Sequence, residues 1–481
     1  MSETDAAQGA GRVGVLGAGL SGLTAAWKLA TKGHTDLAVI EKESQVGGLA
    51  TTITTDTGGR YDLGSHRIHV QFLPEPMQVV EDVVGSDLLV QPRHGRLRLR
   101  GKYIHYPPTL AAFLAGMGPK LVVTGSFSML GQKMPWKRLP KDRELSYEEI
   151  LTHKAGKIVY RVFYEPYAWK VYGIDPKRVS ADAAKIRVTH TSVWEVARSF
   201  LKNKAGKPQF YIYPKHGIGT ISSRLADVVT AAGGSITTGA EVRRIAVRNG
   251  GGFAVDCETG NGAASQEVDT LITSVPINVL CEMLEPAAPA DVLEAARGLT
   301  WRSLRLVYLE LGCTIGSVAE TYYFPEGRYV FGRISRPQLF SSEMGPTNAE
   351  GALCLEVPCS VGDDLWSMSD DEIAERFRPD LEEFGFINAK DDILAVRSRF
   401  LPRVYPIYDL GWHERFLTVC TWLRSMDGLF LVGRGGLFNH NNMDHTMQGG
   451  LRAADHLLAG KRADDEWYDL IDRYRSFRVR D

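Results

Sequence analysis

Polar and apolar positions follow different periods along this chain, and the changes of period mark its elements. Residues 12–16 (RVGVL) form a short apolar run, the pattern of a strand buried on both faces. Residues 23–32 (LTAAWKLATK) carry Ala and Leu at helical spacing, and 37–41 (LAVIE) form a second apolar run closing on Glu41. Further on, Gly217 and Gly219 open a helix, and 235–239 (SITTG) and 241–247 (EVRRIAV) read as strands. Residues 269–280 (DTLITSVPINVL) predict a parallel strand ending at Pro276. Residues 429–432 (LFLV) predict another buried strand, followed by a loop and a helix rich in small residues.

The stretches between these pieces look different. Residues 304–312 and 322–334 alternate as strands, and 180–200 predict a helix capped by Ser180. The most apolar run, 110–130, is broken by Gly118-Pro119-Lys120, so it predicts a buried helix pair. Neither half reaches the roughly 20 residues needed to span a bilayer. Residues 92–108 place Arg96, Arg98, Arg100 and Lys102 in period two, which predicts a hairpin with one solvated face. The sharper alternative is a basic face that steers an anionic substrate.

Gly17-x-Gly19-x-x-Gly22 lies between the first strand and the first helix. Gly17 permits the tight turn, Gly19 lets backbone approach a pyrophosphate, and Gly22 lets helix pack on strand. The helix N–H groups and dipole then face the phosphates. Glu41 is placed to accept the ribose hydroxyls, which argues against a 2′-phosphate. These residues alone leave NAD and FAD both open.

Gly47-Gly48 follows the acidic strand end. With the first motif it resembles the flavoprotein pattern shared by amine oxidases, protoporphyrinogen oxidases, phytoene desaturases and UDP-galactopyranose mutases. The resemblance extends through 209–247 and 429–460. It implies an α/β fold: a Rossmann-like, glutathione reductase-type FAD-binding domain with an interleaved α+β substrate domain. The FAD domain would comprise 1–105, 205–295 and 415–465, the substrate domain 106–204 and 296–414, and 466–481 a charged tail. It implies noncovalent FAD contacted by Gly17, Gly19, Leu20, Ser21, Gly22, Glu41, Lys42, Gly48, Leu49, Gly64, Ser65, His66, Val242, Gly433, Arg434, Asn442 and Met443. In the family the last helix points its N-terminus at the flavin ring.

Residues 64–70 (GSHRIHV) resemble the Gly-Pro-His-x-x-His-Thr loop of UDP-galactopyranose mutases, which lies beside the ring. Ser65 and Val70 replace its proline and threonine. His66 and His69 have no third ligand at metal spacing, so no metal is expected. Tyr167, Lys170 and Gly173 match another mutase segment, with Tyr172 where Trp is usual. Arg333 falls on the strand that bears a diphosphate-contacting arginine, and Tyr405 matches a Tyr-Pro segment. Met443-Asp444 is kept, but His440 and Asn442 stand where the mutases place Tyr and Asp. Amine oxidases usually carry a Lys near flavin N5 on the strand entering the substrate domain. Here Arg302 and Arg305 stand instead, and an arginine is no tunable base at neutral pH.

Composition narrows the classes. The 481 residues, 44% hydrophobic, can bury more than one simple domain. With 56 basic against 57 acidic side chains, no nucleic-acid-binding field is implied. The six cysteines are scattered, which fits thiols in a reducing cytoplasm. The first eleven residues lack the basic and apolar regions of a signal peptide. The expected partner is a small-molecule substrate; oligomeric state is left open.

Three readings follow. The first is an FAD-dependent oxidoreductase that takes a hydride from a polar, sugar- or nucleotide-linked small molecule, with His66, Arg333, His440 and Tyr405 in the pocket. The second is a mutase-like isomerase that uses reduced FAD as nucleophile, with NAD(P)H as an optional reductant. The third is a non-catalytic nucleotide-binding scaffold.

Overall fold

Five short parallel strands, drawn from three distant stretches of chain, make the sheet that organises the nucleotide end. In the computed structural model, which describes residues 11–106, 110–132, 139–187, 209–475 and 479, their spatial order is Ser235–Thr237, Leu37–Ile40, Val13–Leu16, Thr270–Thr273, Leu429–Leu431. Val13 pairs with both Leu37 and Thr270, Ser235 with Ala38, and Leu271 with Leu429. Four of the five strands are buried at every position, which explains their continuous apolar runs.

The helix Leu20–Thr31 begins three residues before the helical pattern does. Gly19 is its N-cap in extended conformation, so the last part of the glycine turn is already helical. The helix Met443–Leu458 packs against it so closely that a Cβ on Gly450 would sit 2.2 Å from the Ser21 carbonyl oxygen. Gly450 is therefore a packing requirement, whereas a Cβ on its neighbour Gly449 would meet nothing within 4 Å. The strand predicted to end at Pro276 spans Thr270–Thr273, and Pro276 is the N-cap of the helix Ile277–Met283 that follows.

A seven-stranded sheet carries the other face of the molecule. Its order is Ile393–Pro406, Trp301–Leu311, Gly351–Cys359, Arg333–Ser335, Thr321–Tyr323, Arg96–Leu99, Lys102–His105. The predicted strand 322–334 is two strands folded into a hairpin, because Pro325, Glu326 and Gly327 interrupt the alternation. Residues 110–132 form a helix pair split at Gly118, but the expected burial is not found in the second helix: Val123, Phe127 and Leu130 are exposed, and Gly125 is its one buried position. Of the helix predicted over 180–200, Ala181–Arg187 is seen; the rest, like the head before Arg12, falls largely outside the described residues.

Two expectations are corrected. Arg98 is not on a solvated face: it is 6% exposed, donates from Nε to the Tyr329 hydroxyl at 2.8 Å, and pairs with Glu383. Its guanidinium lies 4.8 Å from both the Tyr103 and Phe384 ring centroids. An apolar stem and a planar cation let arginine pack where a charge count suggests solvent. Residues read as a charged tail form the helix Asp465–Arg475, with Trp467, Tyr468 and Ile471 buried against the core. Three apolar side chains within five positions were masked by the surrounding charges.

Candidate active site

The glycine turn is built by exclusion. Gly17 has φ +93°, and a Cβ there would meet Ser274 Oγ at 2.3 Å. A Cβ on Gly22 would stand 2.1 Å from the Gly17 carbonyl oxygen. Gly47 donates its N–H to the Ala18 carbonyl at 2.8 Å, and Gly48 brings its backbone so near that a Cβ would lie 3.2 Å from Gly19 Cα. Two glycine segments thus approach each other over the N-terminus of Leu20–Thr31 and leave a floor of bare backbone. Glu41 accepts the Ala18 and Glu43 N–H groups at 2.7 and 2.9 Å. Burial raises its carboxyl pKa, an effect partly offset by those two donors.

From this floor runs a cleft of about 470 Å³. Gly17, Gly19, Leu20, Ser21, Glu41, Lys42 and Val242 line its nucleotide end, where Lys42 Nζ pairs with Glu241 at 2.7 Å. Gly48, Leu49, His66, Arg434, Asn442 and Met443 line the other. The second end opens into a further pocket bounded by Gly64, Ser65, Arg333, Tyr405 and His440. Leu49, His66, Arg434, Asn442 and Met443 belong to both. The helix Met443–Leu458 starts at this junction, capped by Asn442, so its N-terminal dipole favours negative charge placed there. Arg434 donates to the carbonyls of Val404 at 3.2 Å and Asn441 at 2.7 Å and stands 5.7 Å from the Tyr405 ring centroid. Of the predicted cofactor residues, Gly22 and Gly433 face away from the cleft: Gly433 packs on Ser21, where a Cβ would lie 2.5 Å from Oγ.

His66 is recessed between the two spaces, and its Nδ1 is buried without a hydrogen-bond partner among the described residues. Burial, then the charges of Arg333 and Arg434, push its pKa down to about 3. The imidazole is therefore neutral at neutral pH, with a ring nitrogen free for a ligand. The unfolded value is about 6.5, so the unfolded chain binds this proton first. The stability His66 contributes is present above pH 6.5 and is lost as pH falls toward 3. We expect the wild-type protein to lose about 2 kcal/mol from this group between pH 7 and pH 5. His66→Asn should lack that loss, read as a smaller drop in thermal midpoint over the same interval; an equal drop in both proteins would refute the assignment. His69 lies nearby, with Nε2 3.4 Å from Asn442 Nδ2. Among the described residues no three His, Cys, Asp or Glu side chains are grouped to hold a metal.

The second pocket is rich in arginine. Arg333 makes a two-pronged contact with Glu356, both nitrogens at 2.8 Å. Burial opposes its charge, but Glu356 outweighs that and holds the pKa well above the ordinary value. Glu356 Oε1 also accepts the Ser65 N–H at 2.8 Å, so one carboxylate ties the His66 loop to Arg333. Arg67 donates to Glu320 at 2.9 Å and to the Tyr323 hydroxyl at 2.6 Å. Arg93 lines the same pocket, as do Phe210 and Tyr211. The Tyr405 and His440 rings are 5.0 Å apart. The arrangement suits a ligand with an anionic group and a flat or sugar-like body.

The sequence reading missed Ser274, Trp301 and Arg403 in the cleft and Arg67, Arg93, Tyr211 and Glu356 in the pocket. One signal was available: Glu356 is the only charge in the nine buried residues Gly351–Cys359. Arg302 and Arg305 line neither space. Arg302 donates to Ser360 and to the Lys170 and Pro358 carbonyls; Arg305, fully buried, donates to Ser398, Asp370 and three carbonyls. Trp301 and Leu304 of the same strand reach the two spaces. Lys170 is likewise committed, to the carbonyls of Phe324, Glu326 and Phe331 at 2.6, 2.7 and 3.1 Å.

Residues 20–458 match the family described as flavin-containing amine oxidoreductase. The chloroplastic protoporphyrinogen oxidase of Nicotiana tabacum is 25% identical over 460 residues, which cover 87% of this chain and 80% of that protein. Among solved structures, reduced UDP-galactopyranose mutase superposes with a TM-score of 0.80 at 19% identity, covering 97% of this chain and 99% of the other. A putrescine oxidase variant reaches 0.64 at 16% identity over 93% and 99%. These two likenesses speak to the fold.

Proposed function

The chain belongs to the flavin-containing amine oxidoreductase family, and from that premise we propose that it oxidises a polar, anionic small molecule, sugar- or nucleotide-linked, using noncovalent FAD. FAD suits the residues: the bare glycine floor admits a dinucleotide, and the orphan His66 nitrogen and the Met443 helix terminus fit the ring end. In this reading the FAD-binding part comprises 1–105, 205–295 and 415–465, and the enzyme works in a reducing cytoplasm. When bound, FAD supplies a hydride acceptor at N5. The protein does the rest. Arg67, Arg93 and Arg333 bind the anionic group, Tyr405 and His440 flank the substrate body, and neutral His66 donates or accepts one hydrogen bond at the ring edge. The Met443 terminus stabilises negative charge beside it.

The observation that carries this reading is the shared wall of Leu49, His66, Arg434, Asn442 and Met443 between the cofactor cleft and an arginine-lined pocket. The test is anaerobic titration of the purified flavoprotein with nucleotide sugars, phosphorylated glycosides and amines. Bleaching of the flavin band by an anionic sugar derivative is expected. Bleaching by neutral or cationic amines alone would overturn the substrate class. Protein without flavin, unable to bind added FAD, would overturn the whole reading. Isomerisation of a nucleotide sugar by chemically reduced enzyme, with no net bleaching, would favour the mutase-like alternative, which Arg333 and the paired histidines also suit.

A further inference from the structure

Neighbouring tyrosines on the strand Thr321–Tyr323 point to opposite faces of the seven-stranded sheet. Tyr323 accepts Arg67 on the pocket side. Tyr322 lines a separate cavity of about 280 Å³, which shares no residue with the cleft or the arginine pocket. Its walls are Tyr103, Tyr322, Phe384 and Phe386, with Arg96 at one side. Ring centroids lie 5.6 Å apart for Tyr103–Tyr322, 4.8 Å for Tyr322–Phe386 and 5.6 Å for Phe384–Phe386, all edge-on.

Two polar groups of this cavity, Arg96 and Tyr322, keep a hydrogen to donate. Arg96 pairs in register with Tyr322 and lies on the same sheet face as Arg98. Arg98 is neutralised by Glu383, whereas Arg96 Nη1 is buried with no hydrogen-bond partner among the described residues. Tyr322 is 2% exposed; its hydroxyl oxygen faces the Arg336 guanidinium as an acceptor, which leaves its own O–H to donate. Arg336 spends its terminal nitrogens on the carbonyls of Ser317 and Ile315, in the segment that completes the cavity wall. Nearby carboxylates are committed: Glu383 to Arg98 and Arg328, Glu320 to Arg67 and the His94 N–H. Buried donors without acceptors are costly, and an aromatic box beside them selects the body that brings the acceptor.

We propose that this cavity is a binding site for a small aromatic carboxylate. The aryl ring packs edge-to-face among Tyr103, Tyr322, Phe384 and Phe386, and the carboxylate accepts from Arg96 Nη1 and the Tyr322 hydroxyl. The site does not depend on the substrate read for the active site. The probe is benzoate, titrated calorimetrically into flavin-loaded protein, with benzamide as the neutral analogue. One saturable benzoate site with an unchanged flavin spectrum is expected, and benzamide should bind at least about tenfold more weakly. Arg96→Gln should weaken benzoate about tenfold or more, and Tyr322→Phe, which removes one hydroxyl from the box, about threefold. Arg333→Gln should leave this site untouched. Benzoate binding that survives both Arg96→Gln and Tyr322→Phe, that vanishes with Arg333→Gln, or that benzamide equals would overturn the proposal, as would no saturable binding at millimolar benzoate.

Discussion

Gly22→Ala should yield protein that folds but retains little flavin. The added methyl carbon would lie 2.1 Å from the Gly17 carbonyl oxygen, and Val15 Cγ1 closes the other side at 3.0 Å. Backbone must move by about an ångström, and overpacking of this kind costs about 1–3 kcal/mol. That cost falls on the turn itself, since Gly19 and Leu23 form the first helical hydrogen bond, at 2.9 Å, directly above it. The sheet beneath remains supported by strands from three parts of the chain. FAD affinity is therefore expected to drop about 10–100-fold while the thermal midpoint of the apoprotein changes little. The flavin-to-protein absorbance ratio after gel filtration, followed by titration of added FAD, measures it. Undiminished flavin content would show that the turn has slack the geometry denies.

Glu356→Ala should be the most destabilising single change near the pocket. It strands the Arg333 guanidinium, which is only 21% exposed, and removes the acceptor of the Ser65 N–H. Removing one partner of a buried ion pair costs about 3–5 kcal/mol. Because Arg333 keeps a path to solvent through the pocket, about 3 kcal/mol is expected, a fall of roughly 3 °C in thermal midpoint. The double variant Arg333→Leu/Glu356→Ala should recover part of that loss, since no charge is then left unpaired. If the single variant unfolds within about a degree of wild type, the pair does not hold the His66 loop to the sheet.

Much of the fold was legible because the nucleotide end obeys local rules. A parallel strand buried on both faces must be apolar throughout, so VGVL, LAVI and LFL declare themselves. The glycine spacing and Glu41 follow from the backbone approach a dinucleotide requires. The substrate half was less readable. Pro325-Glu326-Gly327 folds one apparent strand into two, and a basic period-two face hides Arg98 against aromatic rings.

The candidate site divides the same way. The resemblance to known flavoproteins, carried by local motifs, assigned His66, Arg434, Asn442 and Met443 a chemistry. Only the folded chain revealed that these four share one wall between two spaces, because they arrive from segments more than 350 residues apart. The match of Arg333 with Glu356, the gathering of Arg67 and Arg93, and the diversion of Arg302 and Arg305 into carbonyl networks are likewise tertiary facts. Local sequence sets which backbone a ligand can approach, since that depends on φ, on Cβ and on helix starts. Which charges face that ligand depends on partners across the fold, and a guanidinium carries no mark in sequence of whether it will meet a carboxylate, a carbonyl or a substrate.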